Sequence, residues 1–325
     1  MHVPGQRPDA MKLGIVVLNW NGKDVTPRCL DSIYRSSTPP DTIVVVDNAS
    51  GDRSADLIHE QFPQVVLIEN DCNLGFAEGC NVGIRYLLER QFDLILLLNN
   101  DAVVDSACIC ELKRAADSHP AAAAYAATIY ELSDPGKIWF GGGTISQLTL
   151  NARHDTQALD KTRVPRPTQF ITGCCLLMRS DAVRKIGLLD SNFFAYFEDV
   201  DWCLRALAAG DQLIYVPDAK VYHDVSFSFR KAGAGVEPAL HLWWARKRPL
   251  VLHLTYRNRL ILARKHARGR AHLGVLTAYC AVRAVLHIVL LSLAGRSKAA
   301  RAVLGGFRDG LVAVPTPFNP ERYIR

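Results

Sequence analysis

Glu198, Asp199 and Asp201 crowd into the short run YFEDVDWCLR. Aromatic residues flank them (Phe193, Phe194, Tyr196, Phe197, Trp202), and partial desolvation raises a carboxyl pKa toward that of a useful general base. The same acids also suit the first turn of a helix, where the macrodipole favours negative charge. In DLILLLNNDAVVD (93–105) an apolar run empties into Asn99, Asn100 and Asp101. One carboxylate among oxygen-bearing neighbours suffices for Mg²⁺, which takes one or two protein carboxylates and completes its shell with phosphate and water. Alternatively, Asp101 caps a helix that follows. His223, in VYHDVSFSF, is either a hydrogen-bonded structural residue or a second metal ligand. Asp47 and Asn48, in IVVVDNASGD, either form an ordinary turn or accept hydrogen bonds from the ribose or base of a nucleoside.

These residues need a scaffold that brings them together, and the periodicity of the chain supplies one. Short β-branched runs at 13–18, 43–46, 65–68 and 94–98 alternate with amphipathic stretches at 24–34, 53–61, 76–90 and 106–118. Near-continuous apolar strands separated by helices predict an α/β fold with a parallel sheet covered on both faces. Each strand ends in a polar loop: NWNG with Asn19 and Asn21, DNASGD, ENDCNLGFAEG with Asn73 and Gly75, and NND. Ligands of open α/β sheets bind beyond the carboxyl ends of the strands, so four such loops point to one ligand. Further on, 130–168 reads as hairpins or loops, 170–178 as a strand and 181–186 as a short helix. FFAYFEDVDWCLRALAAG reads as a loop entering a helix closed by Gly210.

The chain has 325 residues, 49% of them hydrophobic, which excludes a disordered or fibrous protein. Its net charge of +6 hides an asymmetry: residues 241–325 carry 16 Lys and Arg against two acids, while the preceding part carries 22 basic and 30 acidic groups. A basic tail on an acidic body suits nucleic acid or an anionic membrane surface. Residues 273–294 are long enough to span a bilayer, but Arg283 and His287 near the middle make that costly. This helix is expected to lie in the interface or to pack on another helix. Nine scattered cysteines without a CxxC pair read as reduced core thiols, and the N-terminus lacks the apolar region of a secretory signal. No GxGxxG loop follows the first strand, which argues against a dehydrogenase.

Taken together, the blocks GIVVLNWNG, VVVDNASGD, NDCNLGFAEGCNVGI, LLLNNDAVV, GCCLLMRSDAVRKIGLLDSNFFAYFEDVDWCLRALAAG and VYHDVSFSF resemble, in order, the inverting family 2 glycosyltransferases, and within them the bacterial rhamnosyltransferase-like branch. LTYRNRLILARKH and GGFRDG resemble the usual tail of that family. The resemblance implies a GT-A fold, a doubly wound mixed sheet, over 13–238, after an N-terminal tail (1–12) and before a basic helical, membrane-associating region (239–325). It implies that Asn99, Asn100 and Asp101 occupy the family's DxD motif, with Asn99 in place of the first acid and Asp101 as the retained ligand of Mg²⁺ or Mn²⁺. His223 would complete the metal site. Asn19, Asn21, Asp47, Asn48, Asn73, Gly75, Asn99 and Asn100 would line the donor pocket. Asp199, paired with Glu198, would be the catalytic base, and Asp201, Trp202 and Arg205 would face the acceptor.

The implied reaction moves a sugar from a dTDP- or UDP-linked donor to a saccharide or lipid-linked saccharide. Rhamnose from dTDP-rhamnose comes first, with UDP-galactofuranose or a UDP-hexose behind it. The implied setting is cytoplasmic, peripheral at the inner face of the cell membrane, with an anionic lipid surface and no nucleic acid as partner. Two other classes compete. A nucleotidyltransferase would show a Gly-rich basic phosphate loop early in the chain, which NWNGKD is not; a catalytically silent membrane-binding protein leaves the four polar loops without a role.

Overall fold

The computed structural model describes residues 11–157, 163–224 and 249–312. Most of the N-terminal tail, the 238/239 boundary, residues 225–229 of the VYHDVSFSF block, and Arg246, Lys247, Arg248, Arg322 and Arg325 of the basic tail lie outside the described residues.

The first half is wound as its periodicity dictates. Strands β1 (Leu13–Asn19), β2 (Thr42–Asp47), β3 (Val66–Glu69) and β4 (Leu94–Asn99) alternate with helices α1 (Thr26–Tyr34), α2 (Ser54–Gln61) and α3 (Gly75–Glu89). β1 pairs in parallel with both β2 and β4, and β2 with β3. The apolar residues of β1, β2 and β4 are almost wholly buried, as expected for strands covered on both faces. Pro27 occupies the first turn of α1, where its missing N–H has no helical partner to lose. α3 lies close on β1, since a Cβ at Gly83 would come within 2.5 Å of Val16 Cγ1.

The order of elements then departs from expectation. Asp101 caps no helix: a short strand, β5 (Ala102–Val104), follows it, and α4 starts only at Cys108 (Cys108–Ser118). The Ala-rich segment after α4 is the long buried strand β6 (Ala122–Glu131), followed by β7 (Asp134–Phe140), a hairpin of β8 (Gly143–Ile145) and β9 (Ala152–His154), and β10 (Arg166–Thr168). β11 covers Cys175–Arg179, a later start than residue 170, and leads into α5 (Ser180–Ile186), a 3₁₀ turn at Ser191–Phe193, α6 (Glu198–Ala208) and β12 (Gln212–His223). The sheet runs β10-β12-β6-β11-β4-β1-β2-β3, with β5 on β12 and β7 on β6. β11 is antiparallel to both β4 and β6, which makes the sheet mixed.

Three helices close the described chain: α7 (Pro249–His266), α8 (Arg270–Leu293) and α9 (Ser297–Val312). Leu262 and Ala263 of α7 and Leu276 of α8 belong to the core of the sheet domain, while Leu252, Tyr256, Ala284, Leu291 and Val303 form a second small core among the helices. α8 has the length and composition of a membrane span. One of its faces packs inward through Leu276, Cys280, Ala284 and Leu291, and the opposite face exposes Val275, Val282, Val285, Leu286, Val289 and Leu293. All nine cysteines are free, and seven of them are buried.

Candidate active site

Strand register aligns the polar loops. Asn19 at the end of β1 stands opposite Asp47 of β2, Asp47 opposite Glu69 of β3, and Leu18 opposite Asn99 of β4. Asn19 is fully buried and acts as a strut: its Nδ2 donates to Asp47 Oδ1 (2.5 Å) and Ser54 Oγ (2.8 Å), and its Oδ1 accepts from Thr26 Oγ1 (2.6 Å). Asp47 also accepts from the backbone N–H of Ser50 (2.8 Å) and from Ser50 Oγ (2.6 Å). Asn21 has a left-handed backbone (φ 52°) and accepts from Gly51 N–H (2.8 Å). Asn48 ties the β2 and β3 loops together, donating to Gly75 O (2.9 Å) and Asn73 Oδ1 (3.3 Å) and accepting from Asn70 Nδ2 (2.8 Å). Gly75 has φ +81°, and a Cβ there would fall 2.5 Å from Phe194 O, so glycine is required by both conformation and space. The residues expected to line a donor pocket are brought together, largely as a self-supporting network that fixes loop shape.

At β4 the register also decides the fate of Asp101. β12 runs antiparallel to β5 with His223 opposite Ala102, and this places His223 Nε2 3.0 Å from Asp101 Oδ1. Both side chains are about 10% exposed. Among the described residues, Asp101 Oδ1 has no well-aligned hydrogen-bond donor and His223 Nδ1 has no hydrogen-bond partner. Two donor atoms at this spacing match adjacent corners of an octahedral Mg²⁺ shell, which for bonds of 2.0–2.1 Å lie about 3 Å apart. The donor set therefore fits a divalent cation. The described residues contain no group of three or more His, Cys, Asp or Glu side chains around such an ion, so its other positions would fall to diphosphate and water. Asn100 Nδ2 donates to Thr26 Oγ1 (3.0 Å), and Asn99 N–H to Cys174 O (2.9 Å), so both asparagines shape the turn that presents Asp101. Trp139, unmarked in the sequence reading, packs its ring 5.0 Å from that of His223.

The acid pair opens α6. Asp199 is partly exposed and accepts from Gly173 N–H (3.0 Å) and Val200 N–H (2.8 Å); Cys174, next to Gly173, is the residue bonded to Asn99. One short segment thus joins the acid to the NND turn. Burial raises the Asp199 carboxyl above its ordinary range despite those two hydrogen bonds. Glu198 is 5% exposed, its Oε2 has no hydrogen-bond partner among the described residues, and burial followed by the charges of Asp199 and Asp201 pushes it far higher. Of the two, Glu198 is the one pushed further toward the neutral form.

The preceding loop is strained: Phe194, Tyr196 and Phe197 have φ of 62°, 71° and 75°. Such residues cost on the order of 1–3 kcal/mol each and persist only where the surroundings hold them. What holds them is Asn258 of α7, fully buried, whose Nδ2 donates to Phe193 O (2.7 Å), Ala195 O (2.8 Å) and Tyr196 O (2.8 Å), while Arg257 donates to Asn192 O (2.7 Å). The loop in turn touches the first turn of α3, just after Gly75, through Ala77 N–H to Phe194 O (3.1 Å). The sequence offered YRNR only as part of a family-like tail; a buried amide reaching back to a loop has no local signature. Asn258→Asp keeps the shape but removes the N–H donors. It is expected to destabilise the protein by about 1–3 kcal/mol and to lower kcat more than it raises KM, as checked by thermal melting and steady-state kinetics.

The acceptor-side expectation for Asp201, Trp202 and Arg205 is corrected by their positions. Asp201 and Trp202 are fully buried; the Trp202 indole donates to Gly187 O (3.0 Å), and Arg205 donates to the carbonyls of Ile186 (2.7 Å) and Leu188 (2.8 Å). Asp201 accepts from Arg205 Nε (2.9 Å) and His266 Nε2 (2.8 Å) and meets Lys265 Nζ at 2.8 Å. Helical periodicity turns these positions inward, where they fasten α6 to the α5–α6 loop and to α7. Burial alone would raise the Asp201 carboxyl, but the His266 hydrogen bond and the charges of Arg205 and Lys265 outweigh it and hold the group at about 2. A folded value below the unfolded one of roughly 3.9 contributes about 2–3 kcal/mol at neutral pH, and this is lost as pH falls through the folded value. The stability difference between wild type and Asp201→Asn should therefore be largest near neutrality and shrink below about pH 4, as read by denaturant unfolding.

Three comparisons bear on this geometry. The profile of the family described as glycosyl transferase family 2 matches residues 14–187. Among curated proteins, N-acetylglucosaminyl-diphospho-decaprenol L-rhamnosyltransferase of Mycobacterium tuberculosis is 28% identical over 253 residues, 71% of this chain and 80% of that protein. A dTDP-rhamnosyl transferase of Shigella flexneri is 24% identical over 228 residues, 69% of this chain and 71% of that protein. Among solved structures, the mannosyltransferase PcManGT of Pyrobaculum calidifontis, in complex with GDP-Man and Mn²⁺, superposes with a TM-score of 0.53 at 16% identity, covering 93% of this chain and 87% of that one. That likeness shows the fold.

Proposed function

The chain belongs to glycosyl transferase family 2 and is a glycosyltransferase of GT-A fold, and from that premise we propose that it transfers rhamnose from dTDP-rhamnose to a hydroxyl of a lipid-linked saccharide, with inversion. The observation that carries this reading is the meeting of Asp101 and His223 beyond β4, tied through Cys174 and Gly173 to the partly exposed Asp199. The donor and acceptor classes rest on what the two rhamnosyltransferases are named for.

In this reading Asp101 Oδ1 and His223 Nε2 would hold a Mg²⁺ or Mn²⁺ ion. Bound there, the cation supplies Lewis-acid stabilisation of the leaving diphosphate. Asp199, with a carboxyl raised by burial, takes the proton of the acceptor hydroxyl as that oxygen attacks the anomeric carbon. Asp47, Asn48, Asn73 and Gly75 shape the wall for the nucleoside. A single displacement leaves no place for a second nucleophilic carboxylate, in keeping with the burial of Glu198. The exposed apolar face of α8 lies between Arg268 and Arg270 at one end and Arg296 and Lys298 at the other, a pattern suited to an anionic bilayer surface, where lipid-linked acceptors reside.

The test is a panel of nucleotide sugars incubated with the protein, Mn²⁺ and a bacterial membrane extract, with products read by mass spectrometry. A deoxyhexose added from dTDP-rhamnose is the expected result. A hexose added from a UDP donor instead would replace the donor assignment, and thermal stabilisation by ATP but not by dTDP or UDP would remove the proposal.

A further inference from the structure

Most cations of α7 that face the sheet domain are answered by acids or carbonyls. Lys265 pairs with Asp190 (2.5 Å) and Asp201 (2.8 Å), His266 with Asp201, and Arg257 with a loop carbonyl. Arg259 differs. Among the described residues it meets no carboxylate; it donates to Asn151 Oδ1 and lies over the Phe197 ring, with its guanidinium carbon 5.2 Å from the centroid. Arg283 of α8 likewise meets no carboxylate among them, and donates to the Tyr279 hydroxyl at 2.7 Å. That hydroxyl also accepts from Asn151 Nδ2 at 2.9 Å. A chain of neutral groups, Asn151 and Tyr279, therefore joins two half-buried arginines.

At Arg259 and Tyr279 the electrostatics carry the mark of uncompensated positive charge, whereas Arg283, although burial opposes it, is raised above its ordinary value by the Tyr279 hydrogen bond and by Tyr256. Burial and then the neighbouring charge of Arg283 push the Arg259 guanidinium below its ordinary value. Tyr279 is held below its own ordinary value although burial opposes this, because hydrogen bonds from Asn151 and Arg283 and the charges of both arginines outweigh it. Two like charges drawn out of water are unfavourable until an anion joins them. A planar guanidinium pair is also the geometry that takes phosphate oxygens in bidentate fashion.

Location says which anion. Phe197, under Arg259, immediately precedes Glu198 and Asp199. Tyr279 and Arg283 stand on α8 at the margin of its exposed apolar face, which runs through Val275, Val282, Leu286 and Val289. An occupant would set an anionic group beside the acid loop and an apolar chain along α8. We propose that Arg259 and Arg283, with the Tyr279 hydroxyl, bind the diphosphate of a lipid-linked acceptor, whose lipid follows the exposed face of α8. This rests on the acceptor class proposed above, and it assigns the charged link between sugar and lipid to named residues.

Binding to the full chain is measured by calorimetry with geranyl diphosphate, geraniol and inorganic pyrophosphate, in saturating dTDP and Mn²⁺ so that a donor site is already filled. Geranyl diphosphate is expected to bind saturably and geraniol not at all. Pyrophosphate should bind more weakly than geranyl diphosphate. Arg283→Gln and Arg259→Gln should each weaken geranyl diphosphate binding about 10- to 100-fold, Arg283→Lys, which keeps the charge but not the fork, should fall between Arg283→Gln and wild type, and dTDP binding should stay unchanged in all three. Undiminished binding in both glutamine variants overturns the site, as does loss of dTDP binding together with geranyl diphosphate. Flotation with phosphatidylglycerol vesicles separates the sources: if the glutamine variants lose vesicle binding in the same proportion, the anion is a phospholipid headgroup and the acceptor assignment fails. A wild type that binds neither dTDP nor UDP would instead count against the proposed donor chemistry.

Discussion

Asp199→Asn is expected to lower kcat by about 10²- to 10⁴-fold, the usual contribution of a positioned general base, while nucleotide binding is retained. Asp199 accepts Gly173 N–H on Oδ2 and Val200 N–H on Oδ1, so asparagine, with one side-chain oxygen, keeps one of the two anchors, and a melting measurement separates the loss of the proton acceptor from a loosened loop. The pH profile gives a second reading. Since burial raises this carboxyl, wild-type kcat/KM should fall with decreasing pH through a value above the ordinary carboxylate range, and that acid limb should vanish in the variant. Glu198→Gln is the control, because glutamine keeps nearly the shape of the side chain, and burial already pushes Glu198 toward the neutral form. Turnover retained in Asp199→Asn and lost in Glu198→Gln would exchange the two roles.

Asp101→Ala is expected to reduce both affinity for dTDP in the presence of Mn²⁺ and the rate of transfer. It removes one of two protein donors to a cation whose stabilisation of the leaving group amounts to several kcal/mol, or about 10²- to 10⁴-fold in rate. Manganese titration followed by nucleotide binding checks it, and a titration unchanged from wild type would reduce the Asp101–His223 contact to a structural one. His223→Ala should move the same titration in the same direction. Because His223 sits at the end of β12, a melting measurement separates lost binding from a loosened sheet edge.

The four βα units were legible because their signals are local. Apolar runs such as 94–98 and Pro27 at a helix start act within a few residues, and the observed elements differ from the reading by a residue or two at each end. β6 was not legible, because alanine carries little strand preference and nothing in AAAYAATIYE opposes a loop. β5 hid for another reason: its strand character comes from pairing with β12, which arrives from far along the chain. The helix-cap reading of Asp101 failed with it.

The basic character of the C-terminal part was plain in composition, yet its use was not. The basic tail as a whole read as suited to an anionic surface, but in the fold Lys265 of that tail, with His266, meets Asp201 inside the protein. The same contacts removed Asp201 from the acceptor side, together with Trp202 and Arg205.

By itself the sequence determined the class of chemistry: polar loops after consecutive parallel strands, an acid-rich helix start among aromatics, and a single carboxylate in NND. Each is a property of neighbouring residues, set by side-chain type and the periods of helix and strand. Only the tertiary structure decided which of these groups meet. The Asp101–His223 contact depends on the register of β12 against β5, a one-residue slip of which would turn His223 to the other face. The hold of Asn258 on the acid loop depends on how α7 docks, and the isolation of Arg259 and Arg283 from any described carboxylate depends on the packing of α8. Long-range pairing leaves no mark on local pattern, because its free energy resides in contacts between segments that the chain brings together only on folding.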